Sequence, residues 1–502
     1  MTHTSVVPRL GPQTVLPAGV APAPVVPAGV GIVHLGWGAF HRAHQAVYTQ
    51  EAMAASGDLR WGILGDVERT PALAAALAAQ GGRYTVLTVG RDSDGGVVER
   101  AQVVASVVGA AYPREETARL LAAMAAPSTH VITLTVTEKG YLRTREGRLD
   151  LDQARPDVEA FAAELSGTEA ASAAVTAMGL LVRGLGARFR AGATPVTVLS
   201  CDNMAHNGKV LKAVVDEFVA AAGPVAQGFA AWLATSTTWP SSMVDRITPA
   251  VTAATLDRVE EILGARDEAA IAAEPFKQWV IEDAFAGPRP PWELAGAELT
   301  DDVAPWEEAK LRMLNGTHSL IAYAGRLFGY ATMAEAVVAP EIADHARAYL
   351  LDDALPSVTV PTGADLPAYA RSLLDRFANP ATGHTTRQVS TDGTQKIPFR
   401  WGGALDHHLA AGRVPQGIAF GLAAWSEFVR RAVRDGVDLG DPAGAEALTA
   451  TVAATGGGAE EVARALLTIP GLLSEVAATH PALSDAVAAH ARALAAASDA
   501  LL

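Results

Sequence analysis

Val30-Gly-Ile-Val-His-Leu35, followed at once by Gly36-Trp-Gly38-Ala-Phe-His41, decides how the first half of this chain folds. Residues 29–35 are short and apolar, as a buried strand is, and they run through a glycine-rich turn toward a helix starting near Ala43. Strand, G-x-G turn and helix in that order form the setting in which backbone N–H groups cradle a pyrophosphate. The third glycine of the usual fingerprint is replaced by His41, so Gly36, Trp37, Gly38, Ala39, Phe40 and His41 make up the candidate cofactor turn. The acidic residue expected near the end of the second strand is Asp66. There it would accept hydrogen bonds from the adenosine ribose and favour NAD over NADP, a preference that Arg69 close by would reverse. A plain surface turn is the other use for such an aspartate.

Beyond this stretch, residues 61–64 read as a second strand, 71–80 as a helix and 84–89 as a third strand. Val131-Ile-Thr-Leu-Thr-Val136 and Pro195-Val-Thr-Val-Leu199 continue the series between Ala-rich helical segments. Such alternation predicts a largely parallel sheet covered by helices. From about Trp306 the pattern turns helical, over 306–328, 340–352, 366–377, 416–434, 442–453, 458–468 and 484–500. Gly287-Pro-Arg-Pro-Pro291 breaks the chain between the two regimes. The expected organisation is a loose N-terminal arm over 1–28, an α/β Rossmann-type domain over 29–295, and a mostly α-helical domain over 296–502.

Composition narrows the function. The chain has 502 residues, 50% of them hydrophobic and 19% charged, which fits a compact enzyme of two or three domains. A net charge of -15 disfavours nucleic acid as a partner, because phosphate binding needs a basic surface. Cys201 is the only cysteine, so an intramolecular disulfide and a thiolate-rich zinc site are both excluded. Proline interrupts each apolar run of the first 28 residues, and no apolar run reaches membrane-spanning length. A cytoplasmic protein that engages no membrane is expected.

Arg dominates the 39 basic residues; the six lysines are Lys139, Lys209, Lys212, Lys277, Lys310 and Lys396. Arg stays protonated, whereas a desolvated Lys can be tuned to give and take a proton. Lys310 lies in Lys310-Leu-Arg-Met-Leu-Asn315-Gly-Thr-His318. On an α-helix turning about 100° per residue, Lys310, Asn315 and His318 fall near roughly 0°, 140° and 80°, with Glu307 near roughly 60°. All four then share one face. Reduction of a carbonyl by a nicotinamide asks for hydride, a proton for the new alkoxide, and donors aimed at the developing negative oxygen. Lys310 can supply the proton, and Asn315 can donate to the oxygen without competing for it. Asn203, just past the strand at 195–199, is a second amide at the sheet end where ligands bind, or simply a turn residue. No tyrosine has a lysine four residues on, which excludes the Tyr-x-x-x-Lys device. His41-x-x-His44 and His407-His408 have no nearby carboxylate at convincing spacing, so no metal is expected.

Together these residues resemble the polyol-specific long-chain dehydrogenases, the mannitol dehydrogenase family, from about Gly31 to the C-terminus. The motifs are Gly36-Trp-Gly-Ala-Phe-His-Arg-Ala-His-Gln45, Leu134-Thr-Val-Thr-Glu-Lys-Gly-Tyr141, Ser200-Cys-Asp-Asn-Met204, Met243-Val-Asp-Arg-Ile-Thr-Pro249, Glu274-Pro-Phe-Lys-Gln-Trp-Val-Ile-Glu-Asp283 and the Lys310 segment. The resemblance implies a Rossmann-type domain and a mostly helical domain, with the site in the cleft between them. It also implies Lys310 as general acid/base, Asn203 and Asn315 as oxyanion hole, His318 as a residue that hydrogen-bonds substrate, Glu307 as a proton relay, Asp245 in the substrate pocket and Thr137 on the cofactor. No metal and a monomer go with it.

Within the family, Gln388-Val-Ser-Thr-Asp-Gly-Thr-Gln-Lys-Ile-Pro-Phe-Arg400 resembles the members that reduce fructuronate, because mannitol dehydrogenases usually carry Arg where Gln388 stands. Lys396 and Arg400, with Arg387, would pair with a uronate carboxylate; a neutral hexose offers no charge to offset desolvating such a pocket. Phe399 departs from the polar residue expected there. The expectation is NAD(H)-dependent interconversion of D-fructuronate and D-mannonate. Mannitol or arabinitol 2-dehydrogenation of neutral polyols, and a non-catalytic dinucleotide-binding protein, are the alternatives.

Overall fold

The computed structural model describes residues 7–20, 24–68, 70–91, 96–144, 146–168 and 172–499. Arg69 lies outside them. Two units divide at Val303 and Ala304.

The first unit is built on a parallel sheet of six strands: β1 (Val30–Leu35), β2 (Gly62–Asp66), β3 (Val107–Ala111), β4 (Val131–Leu134), β5 (Val196–Ser200) and β6 (Thr237–Thr238). Their spatial order is β3-β2-β1-β4-β5-β6. The chain steps outward from β1 through β2, then returns to β4 on the other side, so the strand order reverses beside β1. In such sheets the crevice at the carboxyl ends of the strands around that reversal is where ligands bind. β1 is apolar almost throughout because both faces are covered. Val33 and Leu35 join a core with the helices Pro113–Ala125, Leu151–Leu165 and Ala177–Arg190, while Ile32 faces a second core containing residues of Gln45–Ser56.

The strand expected at 84–89 forms, as Tyr84–Arg91, but outside this sheet. It pairs antiparallel with Val97–Val104 and parallel with Ile271–Ala273. The third strand on the β2 side of the main sheet is β3, which the apolar pattern did not mark. A further small sheet pairs Gln278–Glu282 antiparallel with Ser242–Asp245 and parallel with Glu298–Thr300. The N-terminal arm packs: Arg9 bridges to Arg266, and Leu10 and Val20 are buried against Val103, Val259 and Leu263.

The second unit is helical. Gly316–Leu327 packs on the long helix Gln416–Asp435, which in turn packs on Pro481–Asp499. Among the described residues, its apolar core draws on Ala309 to Leu494. Three segments among the described residues widen into π-helical turns: Lys310–Asn315, Tyr349–Ala354 and Pro398–Gly402. Among the described residues, no helix is long and apolar enough to cross a membrane.

Candidate active site

The carboxyl end of β1 makes the turn that the glycines predicted. Gly36 has φ of 89°, and a Cβ there would stand 2.3 Å from the Thr135 carbonyl oxygen beyond β4. Only glycine fits, and its absence of a side chain leaves the backbone open to close approach. Gly38 then caps the short helix Ala39–Ala43, whose first N–H groups have no intrahelical partners. Trp37 turns its indole inward under β2, 2% exposed, so its backbone is the part of it that belongs to the turn. His41 also points into the core, stacked on His34 at 3.6 Å. Burial holds both imidazoles far below their usual basicity, His34 at about 3. His44 packs on Phe40 and meets the Gln278 carbonyl at 2.8 Å. These histidines are therefore neutral core residues.

Asp66 ends β2. The Gly36 N–H donates to its carboxylate, and the Trp37 N–H donates to its backbone carbonyl at 2.8 Å. Burial raises its pKa to about 7, against the opposing pull of the Gly36 hydrogen bond. One residue thus ties β2 to the glycine turn. A positive-φ glycine, open first-turn N–H groups and an acidic side chain at the end of β2 suit a dinucleotide.

Asn203 follows β5 and is exposed, next to an anchored aspartate. The Asp202 carboxylate accepts from Thr137 N–H at 2.8 Å, Val136 N–H at 3.2 Å and the Tyr141 hydroxyl at 3.0 Å. This network fixes Thr137 at φ of 65° just past β4. The structure also reveals Asn207, fully buried, whose side-chain amide donates to Asp202 O at 2.9 Å and Ser242 O at 2.7 Å, while its carbonyl accepts from Ser242 N–H at 3.0 Å. It joins the Asn203 loop to the strand that ends in buried Asp245. Nothing in the spacing of Asn207 marked it out; its role depends on a contact 35 residues away.

In the second unit the Lys310 segment corrects the helical wheel. Glu307 lies on the α-helical Ala304–Ala309 and His318 on Gly316–Leu327, but Lys310–Asn315 between them is a π turn. Its bonds run from i to i+5, so Lys310 and Asn315, five residues apart, follow one another along one side instead of lying 140° apart at roughly 100° per residue. Lys310 is 8% exposed. The Gly316 N–H reaches back past Arg312 to Leu311 O, so the Arg312 carbonyl loses its α-helical donor and accepts the Tyr349 hydroxyl at 2.6 Å. Arg400 Nη1 donates to Asn315 O at 3.3 Å and Ser319 Oγ at 2.6 Å, and Trp401 Nε1 donates to Gly316 O at 3.1 Å.

His318 stacks on Phe377 at 5.0 Å and lies 5.5 Å from the His384 ring. Burial, then the charges of His384, Arg400, Arg376 and Lys396, hold it well below its usual pKa. Arg376, Phe377 and His384 were not apparent from sequence, since the first two end the helix Leu366–Phe377 with no motif about them and His384 lies in the loop that follows. Lys396 is half-buried, bonds Thr391 Oγ1 at 3.1 Å and faces Asp392 at 3.7 Å; burial and Arg400 lower its pKa. Arg387 and Gln388 are exposed, and Gln388 Oε1 closes a capping box with Thr385. His408 Nε2 donates to the Asp353 backbone carbonyl at 2.8 Å and its Nδ1 accepts from Arg413 Nη2 at 3.0 Å, so it belongs to packing. Among the described residues, no group of three or more His, Cys, Asp or Glu is placed to hold a metal ion.

Comparisons with known proteins agree with this architecture. Residues 30–294 match the mannitol dehydrogenase Rossmann domain model and residues 302–493 the mannitol dehydrogenase C-terminal domain model. The chain is 39% identical to the D-mannonate oxidoreductase of Escherichia coli (strain K12), covering 88% of this chain and 89% of that one. It is 40% identical to the D-arabinitol 4-dehydrogenase of Ralstonia nicotianae, over 73% and 76%. The solved mannitol 2-dehydrogenase of Pseudomonas fluorescens, in ternary complex with NAD and D-mannitol, superimposes with TM-score 0.76 at 29% identity, over 98% and 99%.

Proposed function

The chain belongs to the mannitol dehydrogenase family of oxidoreductases, and from that premise we propose that it interconverts D-fructuronate and D-mannonate with NAD(H). When bound, the nicotinamide supplies hydride to the C5 ketone or takes it from the C5 alcohol. Lys310, as an ammonium, gives its proton to the ketone oxygen during reduction; as a free amine it takes the hydroxyl proton during oxidation. Asn315 and Asn203 are the amide donors to the oxygen as charge develops. His318 donates to or accepts from substrate hydroxyls, and Glu307 passes protons between Lys310 and solvent. In this reading Asp245 lies in the substrate pocket, and Asp66 and Thr137 hold the cofactor.

The observation that carries the uronate reading is the placing of Arg400 at 2.6 Å on Ser319 Oγ, beside His318, with the charges of Arg400, Arg376 and Lys396 all acting on that histidine. A carboxylate offsets the cost of burying such groups, which a neutral polyol does not. The similarity to a D-mannonate oxidoreductase along most of both chains supports the same substrate. Oxidation of neutral polyols is the second reading. It is favoured by the Asp392 carboxylate already facing Lys396 and by Arg400 Nη1 being engaged by Asn315 and Ser319.

NADH oxidation with fructuronate beside fructose, in the wild type and in Lys396→Met, separates the two. The expected outcome is strong preference for fructuronate, and a loss of about tenfold to a hundredfold in kcat/KM for that substrate alone, the worth of one charge-assisted hydrogen bond. Equal use of both substrates, unchanged by the substitution, contradicts the uronate reading.

A further inference from the structure

We propose that Tyr349 is a positioning residue for the acid/base, its hydroxyl holding the π turn that sets Lys310 and Asn315 on one side. The inference rests on the assignment of Lys310 made above.

Three independent features converge on this tyrosine. Its ring is fully buried, and its hydroxyl donates to Arg312 O at 2.6 Å. That carbonyl sits in the middle of the Lys310–Asn315 turn and is the one the Gly316 N–H bypasses. Two glycines make room for the side chain. A Cβ on Gly316 would stand 1.9 Å from the Tyr349 hydroxyl oxygen, and one on Gly417 would stand 2.4 Å from the Tyr349 Cα. Gly417 lies at the start of the long helix Gln416–Asp435, so the tyrosine is wedged between that helix and the π turn. Burial pushes the phenol pKa upward, and it remains a donor across the working pH range.

The alternative for the segment is a regular α-helix, in which the Gly316 N–H would pair with Arg312 O and the hydroxyl would share that carbonyl with it. In the π turn the hydroxyl replaces the donor that Arg312 O has lost, so the tyrosine offsets the cost of the wider turn and biases the segment toward it. Reverting to α-geometry would swing Asn315 away from Lys310 by the difference between the two helical periods. Arg400 acts on the same turn from its other end, through Asn315 O and Ser319 Oγ.

Tyr349→Phe removes one oxygen and keeps the ring. We expect kcat to fall about tenfold to a hundredfold, KM and NADH affinity to change less than about threefold, and the pH profile of oxidation to shift as the surroundings of Lys310 relax. Tyr330→Phe serves as comparison, because its hydroxyl bonds Glu341 at 2.6 Å in the same unit without touching the turn; its kcat should equal that of the wild type. Should Tyr349→Phe fail to fold, Ser319→Ala carries the test, since it releases Arg400 from the same turn and should lower kcat and shift the pH profile, with KM rising as well because Arg400 also belongs to the proposed substrate pocket. Wild-type kcat and pH profile in Tyr349→Phe, or in Ser319→Ala where the former does not fold, overturn the proposal. Lys310→Ala is measured alongside. If Lys310→Ala retains turnover, the acid/base assignment fails and the positioning role falls with it. If Lys310→Ala is inactive while Tyr349→Phe is unaltered, the positioning role alone is wrong.

Discussion

In the proposed cofactor role of Asp66, one carboxylate joins stability and cofactor affinity. Burial raises its pKa to about 7, above the ordinary value of 3.8, so the folded protein binds this proton more tightly than the unfolded chain does. Stability from this group is therefore full at low pH and declines as pH rises toward 7. The ionised form is the better acceptor for ribose hydroxyls, so NADH affinity should move the opposite way, strengthening between pH 6 and pH 8. Fluorescence titration of NADH across that range measures it. Asp66→Asn should flatten the dependence and weaken binding about tenfold; a pH-independent affinity in the wild type would contradict the role. Residues whose role is local were readable without coordinates, such as Gly36, whose turn requires positive φ. Gln388 shows the limit. Its side chain serves a capping box with Thr385 three residues away, and the Thr-x-x-Gln pattern for that device is in the sequence beside the resemblance to members that reduce fructuronate.

At the scale of elements, strands and helices were legible where one period ran unbroken, as in β1 and Gln416–Asp435. Partnership was not. Tyr84–Arg91 has the composition of any buried strand, and only its distant partners Val97–Val104 and Ile271–Ala273 place it outside the main sheet. The segment 393–410 was missed because Gly393, Pro398, Gly402 and Gly403 read as loop punctuation. They instead permit close packing: a Cβ on Gly393 would stand 2.6 Å from Trp425 Nε1, and one on Gly403 2.4 Å from Arg312 Nη2. A π turn escapes a search at 100° per residue by definition, which is why the expected face of Lys310, Asn315 and His318 was wrong in its angles. Asn207 ties two elements together, and Asn207→Ala leaves several buried polar groups unpaired. We expect a loss of about 2–4 kcal/mol in urea unfolding, with reduced turnover as the Asn203 loop loosens. A loss under about 0.5 kcal/mol would remove Asn207 from this role.

For the whole molecule, each unit closes its own apolar core: residues 309–494 supply one, and the others lie within the first unit. A fragment of residues 304–502 should therefore keep helical circular dichroism and melt cooperatively; a non-cooperative melt would show that its core is incomplete alone. The proposed chemistry divides along the same line, with dinucleotide binding in the first unit and proton transfer in the second. Steady-state turnover of Lys310→Ala in both directions, with NADH binding followed in parallel, decides whether that proton transfer is as proposed. Turnover should fall about a hundredfold to ten-thousandfold, the range for a lost general acid/base, while NADH affinity stays within about twofold. In the wild type, oxidation should rise with pH as the amine becomes neutral, and the variant should lose that dependence. Near-normal turnover in Lys310→Ala, or an unchanged pH profile, would contradict a lysine-based dehydrogenase.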